Sequence, residues 1–219
     1  MLFFKQYIFK NMNSILIIGA HPDDIELGCV GTALKLKSMG KKVYCLILTK
    51  GENWEKKTYK ERIFEQNKSF EIESFDGVYI GKYRDGCIKW ETEAIDYVSN
   101  IIKENSIDTI FSQYYLDSHQ DHIAVSHIAR SASMYCKNLI YYESLTSLQF
   151  YPNFYVDISL YERQKEKMLK SFTSQLEKYE KRNQNLIEYI HSKDKLNGIK
   201  QHLDFAEGFI VEKYLLEES

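Results

Sequence analysis

The junction at residues 15–24 constrains this chain more than any other stretch. A short apolar run, Ile15-Leu16-Ile17-Ile18, ends in Gly19 and Ala20 and opens at once into His21, Pro22, Asp23 and Asp24. A continuous apolar run of this length, bounded by turn residues, reads as a strand buried on both faces. In α/β proteins the carboxyl end of such a strand is where ligands bind. From Leu27 to Leu36 the chain has small residues and then helical spacing, so the acidic cluster lies between a buried strand and a helix. Two adjacent carboxylates and an imidazole lose hydration there, and a divalent cation is the simplest compensating charge.

The pattern repeats along the chain. Gly31 to Met39 reads as a helix ended by Gly40, and Lys42 to Thr49 as a second buried strand. Strand, helix, strand makes a right-handed βαβ unit. The loop from Lys50 to Trp54 then falls on the same rim as His21, which makes Glu52, Asn53 and Trp54 candidates for touching a substrate. Thr58 to Glu73 reads as an exposed helix, charged on one face with Ile63, Phe64, Phe70 and Ile72 on the other. Gly77 to Ile80 is a strand, Thr92 to Glu104 an amphipathic helix, and Thr109 to Phe111 a strand that discharges into a polar loop ending at His122. After the helical run Ile123 to Met134, Leu139 to Glu143 and Phe154 to Ile158 are later strands. Tyr161 to Tyr189 reads as one long charged helical region covering the sheet, and Phe205 to Ile210 as a terminal strand in which Glu207 has a structural role. The alternation predicts an α/β fold: a Rossmann-like three-layer α/β/α arrangement around a mostly parallel sheet.

The second polar loop carries Asp117-Ser118-His119-Gln120-Asp121-His122, where two histidines three apart at a helix start can point the same way. His21, Asp24 and His122 form a candidate metal triad. Two imidazoles and one carboxylate leave coordination positions open, as catalytic zinc sites do, and such a zinc lowers the pKa of its water to about 7. Asp23, adjacent to the ligands, is the natural acceptor of the water proton, a role worth about 10²–10⁴ in rate. His119 stands where it could donate to a developing oxyanion or a leaving amine. The set fits metal-assisted hydrolysis of an amide or ester.

Two other readings use the same residues. A two-histidine, one-carboxylate set also suits a non-haem iron enzyme, although such triads usually sit on all-β scaffolds. Gly19, Gly28 and Gly31 after the first strand suggest a nucleotide-binding module without hydrolase activity, but His-Pro-Asp-Asp replaces the glycines of a GxGxxG turn and would repel phosphate.

With 219 residues the chain suits a single domain, 1–219, with 1–12 as a possible N-terminal extension. A net charge of -2 gives no general basic character that would recommend a nucleic-acid partner. The apolar opening is broken by Lys5 and too short to span a bilayer, so no transmembrane segment is expected. Cys29, Cys45, Cys87 and Cys136 stand far apart without CxxC spacing and read as reduced thiols of a cytoplasmic protein.

Ala20-His21-Pro22-Asp23-Asp24 and His119-Gln120-Asp121-His122 together closely resemble the hallmarks of the PIG-L or LmbE-like family of zinc-dependent N-acetylglucosaminyl deacetylases. Leu27-Gly28-Cys29-Val30-Gly31-Thr32, Thr49-Lys50-Gly51-Glu52 and Ala206-Glu207-Gly208-Phe209 look like further landmarks. The resemblance implies Zn2+ as cofactor (with Fe2+ or another divalent metal as substitute), bound by His21, Asp24 and His122. It implies Asp23 as base and His119 as oxyanion stabiliser. It further implies Glu52, Arg62 and Asp85 as residues holding the hydroxyls of an N-acetylated sugar substrate, and self-association into a homo-oligomer.

Overall fold

Strand β1 (Ser14–Gly19) is buried along its whole length and lies in the middle of a seven-stranded sheet. The computed structural model describes residues 11–52 and 59–215, so the segment Met1–Lys10 and the loop candidates Asn53 and Trp54 lie outside the described residues. In chain order the elements are β1, α1 (Asp24–Gly28), α2 (Val30–Ser38), β2 (Lys42–Thr49), α3 (Tyr59–Phe70), β3 (Gly77–Tyr83), α4 (Thr92–Glu104), β4 (Thr109–Gln113) and α5 (Gln120–Ala132). A 3₁₀ turn (Ser133–Tyr135), β5 (Asn138–Tyr142), β6 (Phe154–Asp157), α6 (Glu162–Leu169), α7 (Thr173–Glu180), α8 (Leu186–Lys200) and β7 (Ala206–Lys213) follow.

The strand order is β3-β2-β1-β4-β5-β7-β6. The first five strands are parallel, β7 runs antiparallel to β5, and β6 runs antiparallel to β7. The expected mostly parallel α/β sheet is present. Because successive side chains of a strand point to opposite faces, β1 feeds two separate cores. Leu16 and Ile18 pack with Leu46, Leu48 and Ile110 under α4 and α5, through Val98, Ile101, Val125 and Ile128. Ile15 and Ile17 pack with Val43, Cys45 and Ile47 under α1, α2 and α6, through Ile25, Val30, Leu34 and Met168. That is why the run is apolar without alternation. Met12 is fully buried in the second core, so the fold reaches at least that far toward the N-terminus.

The structure departs from the expected elements in two places. The long helix expected over 161–189 is three helices. Phe172 turns the chain between α6 and α7 and buries its ring, while Asn183 takes a left-handed φ of 55° and Asn185 caps α8 by accepting the Glu188 amide at 3.1 Å. Helix α3 buries more than its expected apolar face: Phe70 is in the second core and Ile72 packs against it, as expected. Its Phe64 is exposed, whereas Arg62, Glu65, Gln66 and Ser69 are buried against the rest of the molecule. Among the described residues no helix is long and apolar enough to cross a membrane, and all four cysteines are free thiols.

Candidate metal centre

Between β1 and β4 the strand order reverses direction, which is where a doubly wound sheet opens a crevice at its carboxyl edge. Both polar loops leave the sheet there. The end of β1 is fixed from both neighbours: the Ala20 amide donates to Gln113 Oε1 at 3.1 Å, and the Thr49 amide and hydroxyl both donate to the Ala20 carbonyl at 2.9 Å. The turn closes when the His21 amide donates to Asp24 Oδ2 at 2.7 Å and the Asp24 amide to the His21 carbonyl at 3.3 Å.

This closure puts Asp23 in a conformation with φ 99°. A non-glycine residue held there costs on the order of 1–3 kcal/mol and needs its surroundings to over-determine it. The polar face of α3 does so. The Asp23 amide donates to Gln66 Oε1 at 3.2 Å, Arg62 donates to the Pro22 carbonyl, and the Arg62 guanidinium lies 3.4 Å from Asp23 Oδ2. Gln66 is itself anchored, its Nε2 donating to the buried Glu26 Oε1 at 2.6 Å beside Ser69 Oγ at 2.7 Å.

In the second loop Asp117 organises the histidines. Its Oδ1 accepts the His119 amide at 2.8 Å, and its Oδ2 lies 3.2 Å from His122 Nδ1 and accepts from Ser144 Oγ. Burial opposes the Asp117 charge, but the His122 and Ser144 hydrogen bonds outweigh it and hold the carboxyl down at about 2. An ionised carboxylate only accepts, so His122 carries its hydrogen on Nδ1 toward Asp117 and presents Nε2 to Asp24 Oδ1, 3.5 Å away. His21 is arranged in the same way. Its Nε2 donates toward Asp121 Oδ2 and lies equally close to Asp85 Oδ1, both at 3.1 Å, leaving Nδ1 to face Asp24 Oδ2 at 3.4 Å.

Asp24 thus offers one oxygen to each imidazole, and the donor atoms of His21, Asp24 and His122 lie within 4.8 Å of one another with all three residues buried. Donors about 2.0–2.1 Å from a tetrahedral zinc sit about 3.3–3.5 Å apart, close to the 3.4 and 3.5 Å found here. The carboxylate behind each histidine is the support that metal-binding imidazoles ordinarily have. This donor set fits a divalent metal. A second grouping of His21, His119 and Asp121 is also close enough, but Asp121 is already occupied by the Gly86 and Ile88 amides at 2.7 and 3.2 Å and by His21.

The charges in the metal-free protein follow from this packing. Burial opposes the Asp24 charge, yet His122 and His21 pull its carboxyl well below the usual range. Burial disfavours a charged His122, but Asp24 and Asp117 more than offset it and raise the imidazole to about 9. His21 is likewise raised, its hydrogen bonds to the Asp121, Asp24 and Asp85 carboxylates outweighing burial. Asp23 behaves oppositely: burial lifts it to about 6 against the pull of Arg62. His119 is lowered by burial and by the neighbouring His122 and His21 charges. It is therefore neutral, and because its Nδ1 accepts the Asp121 amide at 3.2 Å, its hydrogen is on Nε2.

A cavity of about 290 Å³ opens over these groups, lined by His21, Asp23, Asp24, His119 and His122 and also by Arg62 and Asp85. Glu52 stands behind Asp85, its Oε1 accepting the Asp85 amide at 3.3 Å. The cavity's outer wall is α7 and the residues just after it, with Gln175, Lys178, Tyr179 and Arg182. Sequence reasoning did not assign the supporting Asp117, Asp121, Ser144 and Gln66, nor this wall. The one available signal was an acid five residues before His122 and another immediately before it. Glu207, expected to be structural, accepts the Gly31 and Thr32 amides at 2.9 and 2.7 Å. Those are the helix N-terminal amides a nucleotide phosphate would need, and a Cβ at Gly28 would overlap the Tyr142 ring, so the glycines here serve packing.

Comparison with known proteins agrees with this geometry. The curated relative "Uncharacterized deacetylase YaiS" of Escherichia coli is 27% identical over 151 residues, covering 66% of this chain and 81% of the relative. Among solved structures, the conserved protein TT1542 of Thermus thermophilus superposes with a TM-score of 0.84 at 26% identity, covering 94% of this chain and 98% of that one. N,N'-diacetylchitobiose deacetylase of Pyrococcus horikoshii gives 0.81 at 22% identity, covering 95% and 86%. GalB, the 4-carboxy-2-hydroxymuconate hydratase of Pseudomonas putida, gives 0.82 at 16% identity, covering 95% and 99%. The PIG-L family profile, described as GlcNAc-PI de-N-acetylase, matches residues 16–133, more than half of the sequence, and the chain belongs to that family.

Proposed function

We propose that this protein is a metal-dependent hydrolase that removes the acetyl group from an N-acetylated amino sugar, with His21, Asp24 and His122 holding zinc. The observation that carries this reading is the division of labour in the Asp pair. Asp24 has both oxygens turned to imidazoles, while Asp23 faces the same cavity with its pKa lifted to about 6. Held by His21, Asp24 and His122, a divalent cation would supply an acidified water and a Lewis acid for the acyl oxygen.

The chain's own groups do the rest. Asp23 takes a proton from water as water adds to the amide carbon, and returns it to the sugar nitrogen as the C–N bond breaks, giving acetate and the free amine. His119 donates its Nε2 hydrogen to the acyl oxygen, a contact worth about 10²–10³ in rate. Arg62 keeps Asp23 ionised and aimed, and together with Asp85 meets the sugar hydroxyls, with Glu52 supporting Asp85. The four free thiols suit a reducing, cytoplasmic setting.

The test measures bound zinc and amine release from a panel of N-acetylated sugars. Asp24→Asn is expected to lose the metal, whereas Asp23→Asn keeps it and loses turnover by about 10²-fold or more. Equal metal loss in both variants, or unchanged turnover in Asp23→Asn, would refute the assignment.

A further inference from the structure

The turn that carries Asp23 is built against the preference of its own residues. The Asp24 amide donates to the His21 carbonyl at 3.3 Å, which makes His21-Pro22-Asp23-Asp24 a β-turn. Pro22, at the second position, has φ fixed at about -65° by its ring, and Asp23, at the third, has φ 99° and ψ -24°. Those angles belong to a type II turn, whose third position ordinarily takes glycine or asparagine. A type I turn would keep the proline and place Asp23 at a φ of about -90°, which any residue adopts. The two turns differ by a half-rotation of one rigid peptide group, the one between Pro22 and Asp23. Helix α3 grips both ends of that group. The Arg62 guanidinium donates to its carbonyl, and Gln66 Oε1 accepts its amide at 3.2 Å.

We propose that Gln66 is a positioning residue for the base: it holds the Pro22–Asp23 peptide in the type II state and so aims the Asp23 carboxylate into the cavity over the metal triad. The proposal rests on the reading of Asp23 as the base, and names the residue that sets its backbone. Gln66 is fully buried and does not line that cavity, so it acts through Asp23 and not on a substrate. Its own orientation is fixed from behind. Gln66 Nε2 donates to Glu26 Oε1 at 2.6 Å, and the Ser69 hydroxyl donates to the same oxygen at 2.7 Å, so the amide oxygen is the atom left to face Asp23. Arg62 and Gln66 stand four residues apart on α3, neighbours on one face, which lets a single helix hold the carbonyl and the amide together. Without an acceptor on Gln66 the type II turn would leave the Asp23 amide buried and unpaired as well as strained, and rotation to type I relieves both. That rotation swings the Pro22 carbonyl away from Arg62 and re-aims the Cα–Cβ bond of Asp23. A displacement of about 1 Å at a reacting group costs on the order of 10²-fold in rate.

The experiment compares the full-length wild type, Gln66→Met, and the paired exchange of Glu26→Gln with Gln66→Glu, which keeps an acceptor for the Asp23 amide and a hydrogen bond behind it. Zinc affinity is measured for each, with kcat and KM for amine release from the best N-acetylated sugar of the panel, and the crystal structure of metal-free Gln66→Met is determined. Gln66→Met is expected to keep zinc affinity and KM within about twofold while kcat falls about 10²-fold, and the paired exchange to recover about tenfold or more of that loss. In the crystal structure Asp23 is expected at a negative φ, with the Pro22 carbonyl turned from Arg62. If Gln66→Met does not fold, Gln66→Asn, one methylene too short to reach the Asp23 amide, takes its place with the same expectations. Asp23 still held near φ 99°, an unchanged kcat, or a kcat loss matched by loss of zinc overturns the positioning role even when deacetylation itself is confirmed. A flipped turn in the variant of a protein whose wild type releases no amine from any sugar would sustain the hold on the peptide and overturn the reading of Asp23 as base instead.

Discussion

Asp23 is the residue on which the proposed chemistry turns, because its position is bought with backbone strain at φ 99° and its charge state is set by two opposing neighbours. Burial pushes the carboxyl up to about 6, while Arg62, 3.4 Å away, pulls it down. A base works only when ionised, so kcat/KM should rise with pH along an acid limb at or below about 6, a bound cation drawing it lower still. Arg62→Met removes the downward pull. Its limb should therefore move to higher pH, so that the loss of rate is larger at pH 6 than at pH 8. A pH profile that only drops in height, with the limb in place, would mean that Arg62 acts on the substrate and not on Asp23. Arg62 was reached only through the family resemblance, whereas Asp23 was legible in the sequence, because His-Pro-Asp-Asp follows an unmistakable buried strand. The strain and the Gln66 clasp were not, since they depend on a helix 43 residues away meeting one turn.

At the scale of elements, the legible parts were those whose burial is apolar and periodic: β1, β2, α4 and α5 all lie close to where their patterns place them. Two elements that build the site follow a different logic. Helix α3 buries four polar residues beside Phe70, because Arg62, Glu65, Gln66 and Ser69 have partners on other elements, and no local pattern distinguishes them from a solvated face. The interruption between α6 and α7 has no Gly or Pro to announce it. It is stabilised from a distance by Glu65, which accepts the Ser174 amide at 2.7 Å and hydroxyl at 2.6 Å and so caps α7 against the cavity. A second long-range polar connection holds the C-terminal elements. Lys165 on α6, 1% exposed, donates to Asp194 on α8 at 2.6 Å and to Glu207 on β7 at 2.8 Å, and Glu207 in turn caps α2. The two carboxylates outweigh burial and keep Lys165 charged. Replacing one partner of such a buried set leaves uncompensated charge and costs about 3–5 kcal/mol. Lys165→Met should therefore lower Tm by roughly 6–20 °C at this chain length. Lys165→Met combined with Asp194→Leu should recover part of that loss, and a single variant that melts with wild type would show the network to be dispensable.

At the scale of the whole molecule, the sheet explains where the site is and leaves the reaction open. A hydratase and a deacetylase superpose on this chain with nearly equal TM-scores, so the reaction must be argued from side chains. What the sheet does dictate is that the proposed ligands follow two strands: His21 from the turn after β1 and Asp24 from the start of α1, His122 from the helix after β4. A metal there joins loops that are nearly 100 residues apart in sequence and are gathered only in the native state, so binding should stabilise folding. At a free metal concentration about 1,000-fold above Kd the gain is about 4.1 kcal/mol, or roughly 8–16 °C in Tm. The pH dependence has a definite sign. In the metal-free protein His122 is raised to about 9; its protonated form contributes stability that is fully present below the unfolded histidine value and is lost as pH rises through 9. The metal must displace that proton, so each pH unit between about 6.5 and 9 should strengthen binding by up to about 1.36 kcal/mol per proton released. Thermal melts with and without zinc at pH 6.5 and pH 8.5 should thus show a larger increment at the higher pH, retained in Asp23→Asn and abolished in Asp24→Asn. An increment that shrinks with rising pH would mean that the cation is not competing with the His122 proton and binds elsewhere.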